Sequence, residues 1–214
     1  MSGTDTAPGR SRRSPDKRRA ILDGARVTFA REGYTRASID TIAAAADVST
    51  RTLYNHFGDK ARLFEEVIQS SATEVAESQI ALIEAHLGEV TDVESAIIGF
   101  ACAWARPTPE FADHFALVQQ IRAEVGHLPP AVLNAWQEAG PRRVRRELAR
   151  RLEELADRGL LRVADPERAA FHLATLAAAE VESRNYRGVF PISDADVADL
   201  ATAGARVFLH GYAH

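Results

Sequence analysis

The chain of 214 residues contains one cysteine, one methionine and only two lysines, Lys17 and Lys60. A single thiol, Cys102, excludes an intrachain disulfide framework and any zinc site built from several cysteines. Nothing approaches the ~20 consecutive apolar residues that a membrane span needs; the uncharged apolar stretch 95–105 is far short of it. Residues 1–19 hold no Leu, Ile, Val or Phe, so no signal-peptide core is present. A soluble, cytoplasmic chain with no membrane partner is expected. No segment alternates with a period of two in Val, Ile, Thr and aromatics, which argues against a sheet. A P-loop, a dinucleotide glycine fingerprint, a nucleophile elbow and an HExxH zinc motif are all missing. The expectation is no catalytic residue, no cofactor and no enzyme activity. Of the seven histidines, His210 and His214 stand four apart but at a fraying terminus, so no metal site is expected either.

What is present reads as helix. Hydrophobic residues make up 46% and charged residues 26%, ordinary for a globular protein whose length suits one domain or a small one fused to a larger. The net charge of -4 is unevenly spread: residues 1–60 hold 11 Lys+Arg against 7 Asp+Glu, the remainder 15 against 23. A basic front on an acidic body suggests that the front meets a polyanion. Residues 1–14 read as a disordered basic tail. Ser14, Pro15 and Asp16 form a helix start signal, and Gly33 a stop. A short helix follows Ser38, with Ile39, Ile42, Ala43 and Ala46 on its buried face. Asp47-Val48-Ser49 makes a tight turn, and a third short helix carries Leu53 and Phe57 inward. Beyond Lys60 the helices lengthen: to about 87, then 92–105, 110–126, 130–139, 141–158, 166–187 and 194–212, separated by Pro and Gly. The expected fold is all-α, with a disordered tail over 1–14, a helix-turn-helix domain over 15–60 and a helical body over 61–214.

Three short helices, the last two joined by a tight turn, make a module whose third helix can enter a major groove. Its outward residues are Thr50, Arg51, Tyr54 and Asn55. Thr, Arg and Asn read base edges, Arg being suited to guanine O6 and N7. Tyr54 and His56 can donate to phosphates, and Lys60 can neutralise one. Ser38, Ser49 and Thr52, at the helix starts, complete the candidate DNA-facing set.

The run from Ile42 to Lys60, IAAAADVSTRTLYNHFGDK, followed by Leu63 and preceded by Phe29, Gly33 and Tyr34, resembles the N-terminal signature of TetR-family transcriptional regulators. The segment from His127 through Gly140-Pro141 to Leu161 resembles the AefR-type C-terminal branch. The resemblance implies an all-α homodimer that binds double-stranded operator DNA and answers a small molecule through its C-terminal domain, most simply a repressor released by ligand. An orphan repressor or activator, with no ligand, is the alternative. One departure stands out, since Asp47 occupies the turn position where the family has Gly; Asp tolerates the left-handed conformation.

The aromatics of the middle helices are either core or pocket. A mostly apolar cavity with a few polar groups would take an apolar or aromatic effector. The candidate contacts are Phe100, Trp104, Phe115, Gln119, Trp136 and His172, with His114 a further polar possibility. The arginines of 142–151 instead read as the solvated face of a core helix, with Val144, Leu148, Leu152 and Leu155 buried and Glu147 pairing Arg151. Ala170, Ala174, Ala177, Ala178, Ala201 and Ala205 suggest that the last two helices approach closely at the dimer interface.

Overall fold

A computed structural model describes residues 13–186 and 189–212, with side chains from Pro15 onward. The expected tail, its arginines Arg10, Arg12 and Arg13, the capping role of Ser14, the end of the 166–187 helix and His214 therefore lie outside the described residues or side chains. The described chain is all-α: α1 (Arg13–Arg36), α2 (Ile39–Ala45), α3 (Thr50–Phe57), α4 (Lys60–Leu87), α5 (Val93–Ala105), α6 (Ala112–Ala123), α7 (Pro130–Ala139), α8 (Pro141–Asp157), α9 (Pro166–Asn185) and α10 (Asp194–Tyr212). Two 3-10 turns, Pro109–Phe111 and Val125–His127, flank α6. They account for the longer helix that the sequence suggests there, because a 3-10 turn continues the helical pattern without its geometry.

The chain forms two compact units, one made of residues up to Ala72 with Glu110–Trp136, the other of Thr73–Pro109 with everything from Gln137 on. In the first, α1 packs on α2 and on α6. Ile21, Ala25 and Phe29 of α1 are buried with Ile42, Leu53, Phe57, Leu63, Phe64, Leu117 and Ile121. Phe29 meets Phe64 edge-on at 4.9 Å between ring centres, and Tyr34 lies 4.8 Å from Phe64. This aromatic trio anchors the end of α1. At Gly33 the helix breaks, with φ 79° and ψ 172°, before a last turn to Arg36.

The second unit has its own core, from Ile83 and Leu87 through Ile97, Phe100 and Leu148 to Leu173, Val197 and Phe208. Within it α10 packs on α9 and α5, and α8 on α9. On α8 Val144, Leu148, Leu152 and Leu155 are buried; Arg142, Arg143, Arg146, Arg150 and Arg151 make ion pairs, among them Arg151 with Glu147 at 3.4 Å, and Arg145 lies over the Phe171 ring. The alanine stripe corrects an expectation. Ala170, Ala177, Ala201 and Ala205 are buried inside the unit's own core, so they serve packing within one chain rather than an interface between chains, while Ala174 and Ala178 are half-buried. Small residues allow backbones to approach closely, and here the approach is intramolecular.

Candidate nucleic-acid interface

The three short elements are built from their caps. Ser38 Oγ accepts the Thr41 N–H at 3.0 Å and starts α2; Ser49 Oγ accepts the Thr52 N–H at 3.2 Å and starts α3. Each satisfies an orphan amide of a first turn, worth about 1 kcal/mol. Between them Asp47 takes φ 52°, the left-handed value that the turn demands, so the departure from Gly is absorbed. The Val48 N–H closes the turn onto the Ala43 carbonyl at 3.0 Å.

The turn fixes which face of α3 is free. Leu53 and Phe57 are buried, while Arg51, Tyr54 and Asn55 are exposed, and Thr50, Thr52 and His56 are half-buried. Arg18 of α1 lies over the Phe57 ring, 5.2 Å from its centre, and pairs with Glu66 of α4, pinning the far end of α3. The hydroxyls of Ser38 and Ser49 are shared with Thr41 and Thr52, at 2.7 and 2.9 Å, so their first role is to hold the helix starts. Arg51, Tyr54 and Asn55 thus form one solvent-facing set on a helix fixed at both ends. Such a surface can place a guanidinium and an amide against base edges in a groove.

Lys60 is engaged within the chain. Its Nζ donates to the Thr35 carbonyl at 3.3 Å and lies 4.8 Å from the centre of the Tyr34 ring. Burial lowers its pKa from the ordinary lysine value, and the charge of Glu124 opposes that shift.

Two family models match the chain: bacterial regulatory proteins, tetR family, over residues 21–67, and the C-terminal domain of AefR-like transcriptional repressors over 111–214. The chain belongs to the TetR family. The first match covers the whole helix-turn-helix just described. This TetR-family chain is 36% identical over 81 residues to the HTH-type transcriptional repressor AcnR of Corynebacterium efficiens, an alignment of 37% of this chain and 43% of AcnR. Among solved structures, a TetR-family protein from Mesorhizobium loti superposes with a TM-score of 0.81 at 29% identity, over 94% of this chain and 99% of the other. The flavonoid-responsive regulator FrrA gives a TM-score of 0.72 at 25% identity, over 93% and 98%. The relatives are regulators rather than enzymes, and no helix among the described residues is long and apolar enough to cross a membrane.

The candidate effector contacts are divided between the two compact units. Phe115, Gln119 and Trp136 belong to the first unit; Phe100, Trp104 and His172 belong to the second. Phe100 is fully buried and stacks on Trp104 at 5.5 Å between ring centres. Phe115 is 43% exposed. His172 is exposed and bonded to the Tyr212 hydroxyl at 2.8 Å. Trp136 is buried, and its indole N–H has no partner among the described residues. His114 is a satisfied core residue, with its Nδ1 2.9 Å from Ser71 Oγ. Burial first, and the charge of Arg26 second, hold its pKa down to about 4. Sequence reading missed Ser71, Arg26 and Glu124. Each acts through a partner far away in the chain, for which no local pattern exists.

Proposed function

We propose that this chain is a DNA-binding repressor that works as a homodimer on a near-palindromic operator and is released by a small apolar or aromatic effector. The observation that carries the DNA reading is the fixed α3 with Arg51, Tyr54 and Asn55 outward and Leu53 and Phe57 buried. Two such helices, one per subunit, would enter major grooves about one helical turn apart. Arg51 reads a base and Lys60 holds a phosphate, with Ser38, Ser49, Thr50, Thr52, Tyr54, Asn55 and His56 around them. Selection of operators from random DNA tests the reading. On the selected site Arg51→Ala is expected to cost about 2 kcal/mol and relax preference at one base position. Equal loss on all sequences would instead make Arg51 a backbone contact.

For the dimer, the outward faces of α9 and α10 carry what the alanines do not. Phe171 and Val207 are 51% and 60% exposed, each too apolar to be left in water without cost. Two-fold pairing of these faces gives a two-fold protein for a two-fold site. The double variant Phe171→Glu, Val207→Glu is expected to be monomeric in light scattering, with operator affinity lowered because each half-site then binds alone. An unchanged mass would move the interface elsewhere.

For the effector, Phe100 and Trp104, stacked within the second unit, are the best candidates; Trp136 of the first unit, buried with an unpaired indole N–H, is a separate one. The flavonoid response named for FrrA favours an aromatic effector. A coupling of ~1–3 kcal/mol between effector and operator gives roughly 5–150-fold loss of DNA affinity. Titration of a flavonoid panel into the operator complex tests this. The orphan reading is favoured by the full burial of Phe100 in the core and gains if no member of the panel releases DNA.

A further inference from the structure

Glu124 follows α6 directly, and its carboxylate is seated on the end of α1. Three features of that end make the seat. Gly33 has no side chain, and a Cβ there would stand 2.5 Å from Glu124 Oε1 and 3.0 Å from the Gln120 amide oxygen. The Thr35 N–H donates to Glu124 Oε2 at 3.1 Å. Lys60, whose Nζ is bonded to the carbonyl of the same Thr35, feels the Glu124 charge, which raises its pKa against the lowering by burial. Thr35 is exposed and Lys60 half-buried, so a polyanion in solvent can reach both donors.

An amide N–H and an ammonium are the donors that a DNA phosphate would use here. A carboxylate already bonded to the first, and whose charge the second feels, competes for them. We propose that Glu124 is an internal competitor of the DNA backbone, whose carboxylate offsets the charge of Lys60 and so sets how strongly this end of the module grips phosphate. The seat joins α6 to the recognition module through one charge, and a shift of α6 that withdrew Glu124 would strengthen the hold of Lys60 on phosphate. The inference rests on the DNA-binding reading above.

The test is the salt dependence of binding of the full chain to its selected duplex, followed by fluorescence anisotropy. Glu124→Gln removes the charge and keeps an oxygen to accept the Thr35 N–H. It is expected to bind more tightly at low salt and to steepen the slope of log K against log salt by up to about 0.9, the limit set by one phosphate. Its advantage over wild type should then shrink by up to about 3.5-fold between 50 and 200 mM salt. Adding Lys60→Met to Glu124→Gln should remove the extra slope. Should the Gln variant fail to fold, Glu124→Ala reads the same slope, because the charge and not the bond is at issue. An unchanged slope without the carboxylate overturns the inference, as does a steeper slope that survives in the double variant. A wild-type chain that prefers no selected duplex over random sequence overturns the DNA-binding reading itself, and this inference with it.

Discussion

Gly204→Ala is expected to lower the free energy of unfolding by about 3 kcal/mol, the upper end of what overpacking costs in a closed contact. Gly204 lies on α10 against α9, and a Cβ built on it would overlap the Leu176 carbonyl oxygen and its carbon. Backbone cannot rotate away as a side chain can, so the two helices must separate. Their separation would loosen Ala177, Ala201 and Ala205, all buried at 1% exposure or less. Gly211, on the last turn of the same α10, gives the control: a Cβ there meets nothing within 4 Å. Gly211→Ala should be neutral or stabilising by up to ~1 kcal/mol, since alanine is the better helix former. Denaturant unfolding of both variants decides the matter. Equal midpoints for the two would mean that helix propensity, not the α9–α10 approach, governs position 204.

The contrast between these two glycines shows what a sequence conveys and what it withholds. Both sit in one helical pattern, and nothing local separates them. Where an element's signal is local, it was legible: Ser38 and Ser49 start helices, Gly33 breaks one, and Asp47 takes the left-handed turn, each through bonds within a few residues. Of the outward set, Arg51, Tyr54 and Asn55 were legible for the same reason, because the positions of Leu53 and Phe57 fix the face of α3; Thr50, expected with them, is half-buried. Long-range contacts were not. The alanine stripe announces a close approach without saying whether the partner is the same chain. His114 and Phe115 are adjacent on α6, one buried and one exposed, and a short helix with aromatic character on both faces gives no rule for choosing. Glu124 lies 89 residues from Thr35, so its seat had no pattern to betray it.

His114 leads to the second large effect, a loss of stability in mild acid. In the folded chain its pKa is lowered from 6.5 to about 4 by burial and by Arg26, whereas in the unfolded chain the ring titrates normally. Above pH 6.5 both states hold a neutral ring, and this group contributes no pH dependence. As pH falls below 6.5 the unfolded chain takes up a proton that the folded chain refuses, so stability falls with pH. The fall continues until about pH 4, where the folded ring titrates as well, and then levels off. A shift of this size corresponds to about 3 kcal/mol across the window. The part of the fold affected is the unit of α1, the start of α4 and α6, because Ser71 and Arg26 are the neighbours that meet the imidazolium. Once charged, the ring would face Arg26 with like charge. His114→Gln keeps a polar partner for Ser71 and removes the titration. Urea unfolding of both chains from pH 7.5 to 4.5 is expected to show a wild-type slope that exceeds that of the variant, with the gap opening only below pH 6.5. Parallel curves through that window would mean that His114 takes up its proton equally in both states and is not held neutral by the fold.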